Sequence, residues 1–216
     1  MSTDTQQIVL AVRRVTPRWW ALTGACLAAL VILYAVVPFV GVRYTPASAK
    51  LEALYGPSST LLDVIDVTTV LVLLAALAVV AVVRKLPYGI GAVLTLSLGA
   101  TLTAAAGRTW LVDHIPTSAL PDGRLVAAAA VIASAALVVL GAVRPAVLGL
   151  GAALVAAVAL AAFVTAGSTV IGIVGSLMVV GLWWGVAGVV MAHSPLAAAR
   201  ERKNPLDTAA LMLRRD

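Results

Sequence analysis

Charge is scarce in this chain: of its 216 residues 11% are charged, against 62% that are apolar. A water-soluble domain carries roughly 25% charged and roughly 45–50% apolar residues, and a chain of this size leaves much of its surface outside any core. The shortage excludes a soluble enzyme, a disordered chain and a soluble nucleic-acid module. It leaves open a reaction at a membrane surface. Cysteine is equally scarce. The single one, Cys26, lies inside an apolar run, which excludes an internal disulfide and a cysteine-based metal cluster. Alternation of period two is missing throughout, so a transmembrane β-barrel has no support. No internal repeat or low-complexity linker divides the chain, which reads as one domain.

Long apolar sequence is what the chain has in abundance. About 20 apolar residues in a helix cross the roughly 30 Å of a bilayer core. Six stretches reach that length, at about 20–42, 61–83, 88–111, 125–143, 146–164 and 168–192. The fold class expected is an all-α integral membrane protein, six transmembrane helices in one bundle. A segment of residues 1–19 precedes the membrane domain, 20–192, and a basic tail, 193–216, follows it. Arg84-Lys85-Leu86-Pro87 and Arg144-Pro145 read as tight turns whose prolines open the next helix. Ser58-Ser59-Thr60 offers hydroxyl caps before the second span. Between spans one and two, Ala47–Tyr55 reads as a short surface helix that Gly56-Pro57 ends.

The basic residues sort by side. With the N-terminus inside, the inner segments hold eleven of the 15 Lys and Arg residues; Arg43, Lys50, Arg108 and Arg124 fall outside. Cytoplasmic loops carry the excess of positive charge, so both termini are expected in the cytoplasm. The net charge of +6 then marks orientation rather than a nucleic-acid partner. Ala47-Ser48-Ala49 has the look of a signal-peptide cleavage site, but the apolar run before it exceeds the 7–15 residues usual for such signals.

Polar residues cluster on the expected outer side. Between spans three and four lie Arg108, Asp113, His114, Asp122 and Arg124. Asp63 and Asp66, three apart, would share a helix face at the outer end of span two. Charges at membrane depth tend to face protein or water and to be functional; the plainer reading pairs them with Arg43, Lys50 or Arg108. His114 lacks the further ligands a metal site needs, so no metal or other cofactor is expected. No serine sits in a nucleophile turn. His193 suits the end of the last helix as a cation. In span six, Gly181 and Gly185 have the spacing that lets helices approach closely. Packing against another span is the simpler reading, self-association the other. Trp183 and Trp184 read as packing residues.

In this layout the chain resembles the type 2 phosphatidic acid phosphatase and haloperoxidase-like membrane proteins. Bacterial members of that family have six spans, both termini inside, and three phosphate-site motifs at the outer face. Gly107-Arg108-Thr109 stands where the first motif has glycine, arginine and proline, although the lysine expected seven residues earlier falls on Thr101. Leu120-Pro121-Asp122-Gly123-Arg124 resembles the second motif, with Asp122 for its serine and Arg124 for its histidine. The third motif is gone around Phe163–Ile173, where only Ser168 and Thr169 offer hydroxyls.

The resemblance implies a relative that has lost catalysis, because the nucleophile and proton donor are both missing and an arginine cannot act as a general acid. It implies either a lipid-phosphate site formed by Arg108, Arg124, Asp122, His114, Asp113, Ser168 and Thr169, with no catalytic residue, or a role as a subunit of a membrane complex. The partners expected are membrane lipids, together with other membrane proteins or a second copy through the Gly181/Gly185 face. The location expected is the inner membrane of a bacterium, and the alanine and valine content suits a high-GC one. Two rival readings are an active lipid phosphatase built on His114 and a small transporter component, the second weakened by the scarcity of mid-span charge.

Overall fold

The computed structural model describes residues 3–40, 52–84, 87–139, 142–165 and 167–193, with side chains for 17–36, 54–66, 68–84, 88–139, 142–165 and 167–193. These residues form the helices α1 (Thr3–Val40), α2 (Glu52–Val64), α3 (Val67–Val83), α4 (Pro87–Leu111), α5 (Gly123–Val138), α6 (Arg144–Thr165) and α7 (Val170–Ala192), with one 3-10 turn at Thr117–Ala119 and no strand. Five helices are long and apolar enough to cross a membrane, and the number is six if the bent pair α2–α3 counts as one span.

The packing is sorted by size in the way lipid favours. Small side chains lie inside, among them Ala92, Ala100, Ala104, Ala129, Ala133 and Ser176. Large ones such as Leu71, Val72, Leu98, Leu102 and Leu150 are exposed on the outer faces. Lipid tails are as apolar as leucine, so helices associate through close backbone contact rather than by hiding large apolar groups from water. Polar groups in the helices bond inward: Ser97 donates to the carbonyl of Val93 at 2.7 Å, and the Trp183 indole to the Thr103 hydroxyl at 2.9 Å. The chain is a multi-pass membrane protein.

α5 sits at the centre, touching α3, α4, α6 and α7. α1 packs chiefly on α7, and the glycines of α7 make the approach close. A Cβ on Gly181 would lie 2.9 Å from the Cys26 sulfur, and one on Gly185 would lie 3.0 Å from the Trp19 carbonyl oxygen. The glycine face of the last span is thus filled by the first span of the same chain. Trp19 lies on Gly188, and Val190 faces Gly91 of α4. The first part of the α1 span, the start of α4 and the end of α7 therefore share one end, here the proximal end. Arg84 binds the carbonyl of Val138 there, a cation on the last carbonyls of α5. At the close of α7, His193 Nδ1 lies 2.8 Å from the Val189 oxygen. The ring belongs to the helix end, as expected. Trp184 packs on Trp19 with ring centroids 6.3 Å apart, and Trp183 fills the space beside Gly99. Both indoles are packing residues.

Several local expectations need correction. The first helix does not begin at residue 20; α1 starts at Thr3, although its apolar crossing segment is Pro17–Val36. Gly56-Pro57 does not end a helix: α2 runs through it, although Pro57 lacks the amide that would bond back to the preceding turn. Ser59 and Thr60 are not caps either. Their hydroxyls donate back to the Gly56 carbonyl at 2.9 and 3.0 Å, a pattern that bends helices. The second span breaks instead at Ile65-Asp66, with a 52° bend between its halves. The Asp66 carbonyl accepts the Val70 amide at 3.0 Å and so opens α3. Valine, isoleucine and threonine crowd this point, and aspartate favours helix starts over interiors. Asp63 and Asp66 accordingly do not share one helix face. The fourth span is also displaced from the expected 125–143: its crossing segment is Thr117–Val138, and its helix α5 closes at Val138. Arg43, Lys50, most of the Ala47–Tyr55 segment and the tail from residue 194 lie outside the described residues.

Candidate functional site

At the distal end, where α4 closes and α5 and α7 open, the chain from Val112 to Asp122 is not α-helical. α5 has 16 residues and spans only about 24 Å at 1.5 Å per residue. The segment before it must complete the crossing, and Ile115, Ala119 and Leu120 are buried accordingly. Irregular backbone at membrane depth is tolerated only where protein satisfies its polar groups. The carbonyls of Ser118, Ala119 and Pro121 each have a hydrogen-bond donor.

The Ser118 carbonyl accepts the Thr169 amide at 2.8 Å and the Thr169 hydroxyl at 3.1 Å. The Ala119 carbonyl accepts the Tyr34 hydroxyl of α1 at 3.4 Å. The Pro121 carbonyl accepts Nε of Arg108 at 2.9 Å. The Asp122 amide donates to the Ser176 hydroxyl at 2.8 Å, which in turn donates to the Gly172 carbonyl at 2.8 Å. Such closeness needs a bare backbone beneath the loop. A Cβ on Gly172 would lie 2.8 Å from the Ser118 oxygen and 2.9 Å from that of Leu120.

Asp122 is the N-cap of α5. Its Oδ1 accepts the amides of Arg124 and Leu125 at 2.9 and 3.0 Å, and its Oδ2 lies 3.9 Å from an Nη of Arg108. Thr169 caps α7 in the same manner, accepting the Gly172 amide at 3.3 Å. Ser168 is buried beside it, after a turn in which Gly167 takes φ +63°.

The sequence-derived residues therefore divide into two groups. Arg108, Asp122 and Thr169 are fixed in one network at the distal end, with Ser168 adjoining. Arg124 stands exposed next to Asp122, and Asp113 and His114 are exposed in the loop. The side chains of these three make no hydrogen bond or ion pair among the described residues. Arg108 pairs with Asp122 rather than with Asp63 or Asp66. Three members of the network, Tyr34, Gly172 and Ser176, escaped the sequence reading. A hydroxyl pair before an apolar run, as in Ser168-Thr169, is a readable helix start. Nothing local marks Ser176 or Tyr34, whose partners lie 54 and 85 residues away.

Chemically, the arrangement offers a half-exposed guanidinium held by Pro121 and Asp122, with a second, exposed arginine two residues after Asp122 in the chain. Among the described residues no group of three or more His, Cys, Asp or Glu side chains is placed to hold a metal ion. No family model, curated protein or solved structure matches this chain.

Proposed function

We propose that this protein binds the anionic head group of a membrane lipid at its distal end, between Arg108 and Arg124, and does not transform it. The observation that carries this reading is the state of Arg108. Its Nε is anchored on the Pro121 carbonyl, one Nη lies 3.9 Å from Asp122 Oδ2, and the side chain as a whole is still 51% exposed. A guanidinium already held in place loses little freedom on binding, and its fork suits phosphate oxygens. Arg124, at the first turn of α5, supplies a second cation without a partner among the described residues.

The reading includes a topology and an ancestry. α2 and α3 form one bent span of six, both termini lie in the cytoplasm, and the distal end faces outward across a bacterial cytoplasmic membrane. The eleven-to-four distribution of basic residues supports that orientation. The chain would be a non-catalytic relative of the type 2 phosphatidic acid phosphatases. Support comes from the meeting of its three corresponding segments, at Arg108, at Pro121–Arg124 and at Ser168-Thr169, at one end of the bundle. The same end offers His114 as its one histidine, exposed and without a carboxylate partner among the described residues.

Purified protein in lipid nanodiscs is expected to retain anionic phospholipid over phosphatidylcholine, less so as salt is raised. It is expected to release no inorganic phosphate from phosphatidic acid. Arg108→Ala combined with Arg124→Ala should abolish the retention. Retention unchanged in that double variant would remove the site, and phosphate release lost in His114→Ala would establish the active enzyme instead.

A further inference from the structure

We infer that the Arg108–Asp122–Arg124 cluster selects phosphodiester head groups, with one negative charge, over phosphomonoesters, which carry up to two. The inference rests on the head-group reading above and adds the class of ligand. Two guanidinium groups and one carboxylate leave a single net positive charge, which matches a diester anion.

The carboxylate is built in. One oxygen of Asp122 accepts two amides of α5, and its backbone amide is bound by Ser176. It cannot swing away when a ligand arrives without uncapping the helix. Asp122 is also buried, at 9% exposure, so salt screens its charge less than that of a surface group. Arg108 has five N–H donors, and the one on Nε is committed to Pro121. The remaining donors sit on the two Nη nitrogens, which together suit two oxygens in a forked pair. A phosphodiester offers two non-bridging oxygens and one charge. A phosphomonoester adds a third oxygen and a second charge, close to the fixed carboxylate and opposed by it.

The test sets phosphatidylglycerol against phosphatidic acid, at equal mole fraction in phosphatidylcholine nanodiscs carrying the full-length protein. Bound lipid is read by native mass spectrometry at pH 8, where a monoester holds most of its second charge. The wild type should retain the diester about fivefold over the monoester, the size of preference that one nearby like charge produces at a partly exposed site. Asp122→Asn and Asp122→Ser both keep an N-cap oxygen and remove the charge. Either should erase or reverse the preference while total retention rises. A wild type that favours phosphatidic acid would overturn the inference, as would neutral variants with an unchanged ratio. Those results would leave the head-group site standing if Arg108→Ala with Arg124→Ala still releases both lipids. Retention of neither lipid by the wild type would remove the site itself.

Discussion

The carbonyl oxygen of Ser118 is shared by two donors from one residue, the amide and the hydroxyl of Thr169, which lies 51 positions along the chain. That hydroxyl also caps α7 through the Gly172 amide. Thr169→Val keeps the shape and the amide bond but removes the hydroxyl. It should lower stability by about 1 kcal/mol, the usual effect of losing an N-cap, whereas Thr169→Ser should stay close to wild type. Unfolding in mixed micelles with increasing SDS measures both. Equal stability of the valine and serine variants would show that the hydroxyl contributes nothing.

Glycine-to-alanine changes should have opposite signs at two positions. At Gly172 the added carbon meets two backbone carbonyls that cannot step aside. The expected loss is about 1–3 kcal/mol, the range for overpacking. At Gly24, mid-way along α1, a Cβ would have no atom within 4 Å, and the change should stabilise by roughly 0.5–1 kcal/mol. The same unfolding assay compares them, and a destabilised Gly24→Ala would contradict the open outer face of α1.

Ser134 lies fully buried in α5, and its hydroxyl has no partner among the described residues. A buried polar group without a partner costs free energy rather than contributing it. Ser134→Ala should therefore be neutral or stabilising, by up to about 1 kcal/mol. A clear loss of stability would mean that the hydroxyl is bonded in the membrane.

Cysteine labelling from either side tests the bent span. With α2 and α3 acting as one crossing, cysteines placed at Lys50 and Lys85 should be labelled from opposite sides of the membrane. Positions 113 and 167 should then label with Lys50, and Arg144 with Lys85. Labelling of Lys50 and Lys85 from one side would make α2–α3 a re-entrant element and reduce the crossings to five.

Much of the helix layout could be read from the chain because its signals are local. Pro87 opens α4, Pro145 falls in the first turn of α6, and Gly181 and Gly185 meet a neighbouring helix as their spacing implies. The break at Ile65-Asp66 was hidden by the same hydropathy that revealed the span, since β-branched residues keep the average apolar while weakening the helix. The distal network was legible only in part. Arg108 and Asp122 stand out as charges beside apolar sequence. Their geometry depends on a loop whose carbonyls are met by Tyr34 and Thr169 and whose Asp122 amide is met by Ser176, and only the folded bundle brings those together.

The packing of α1 on α7 has a consequence for how the protein is made. The Thr23 hydroxyl reaches the Leu182 carbonyl across 159 positions, and Cys26 lies against Gly181. α1 thus finds its main partner in a helix synthesised long after it. At synthesis rates of about 5–20 residues per second, roughly 8–30 s separate the two. Until α7 is made, the face of α1 that packs on it lacks that partner. A nascent chain halted before α7 emerges would hold an orphaned first helix, a natural target for insertion factors and for the proteases that clear unfinished membrane proteins.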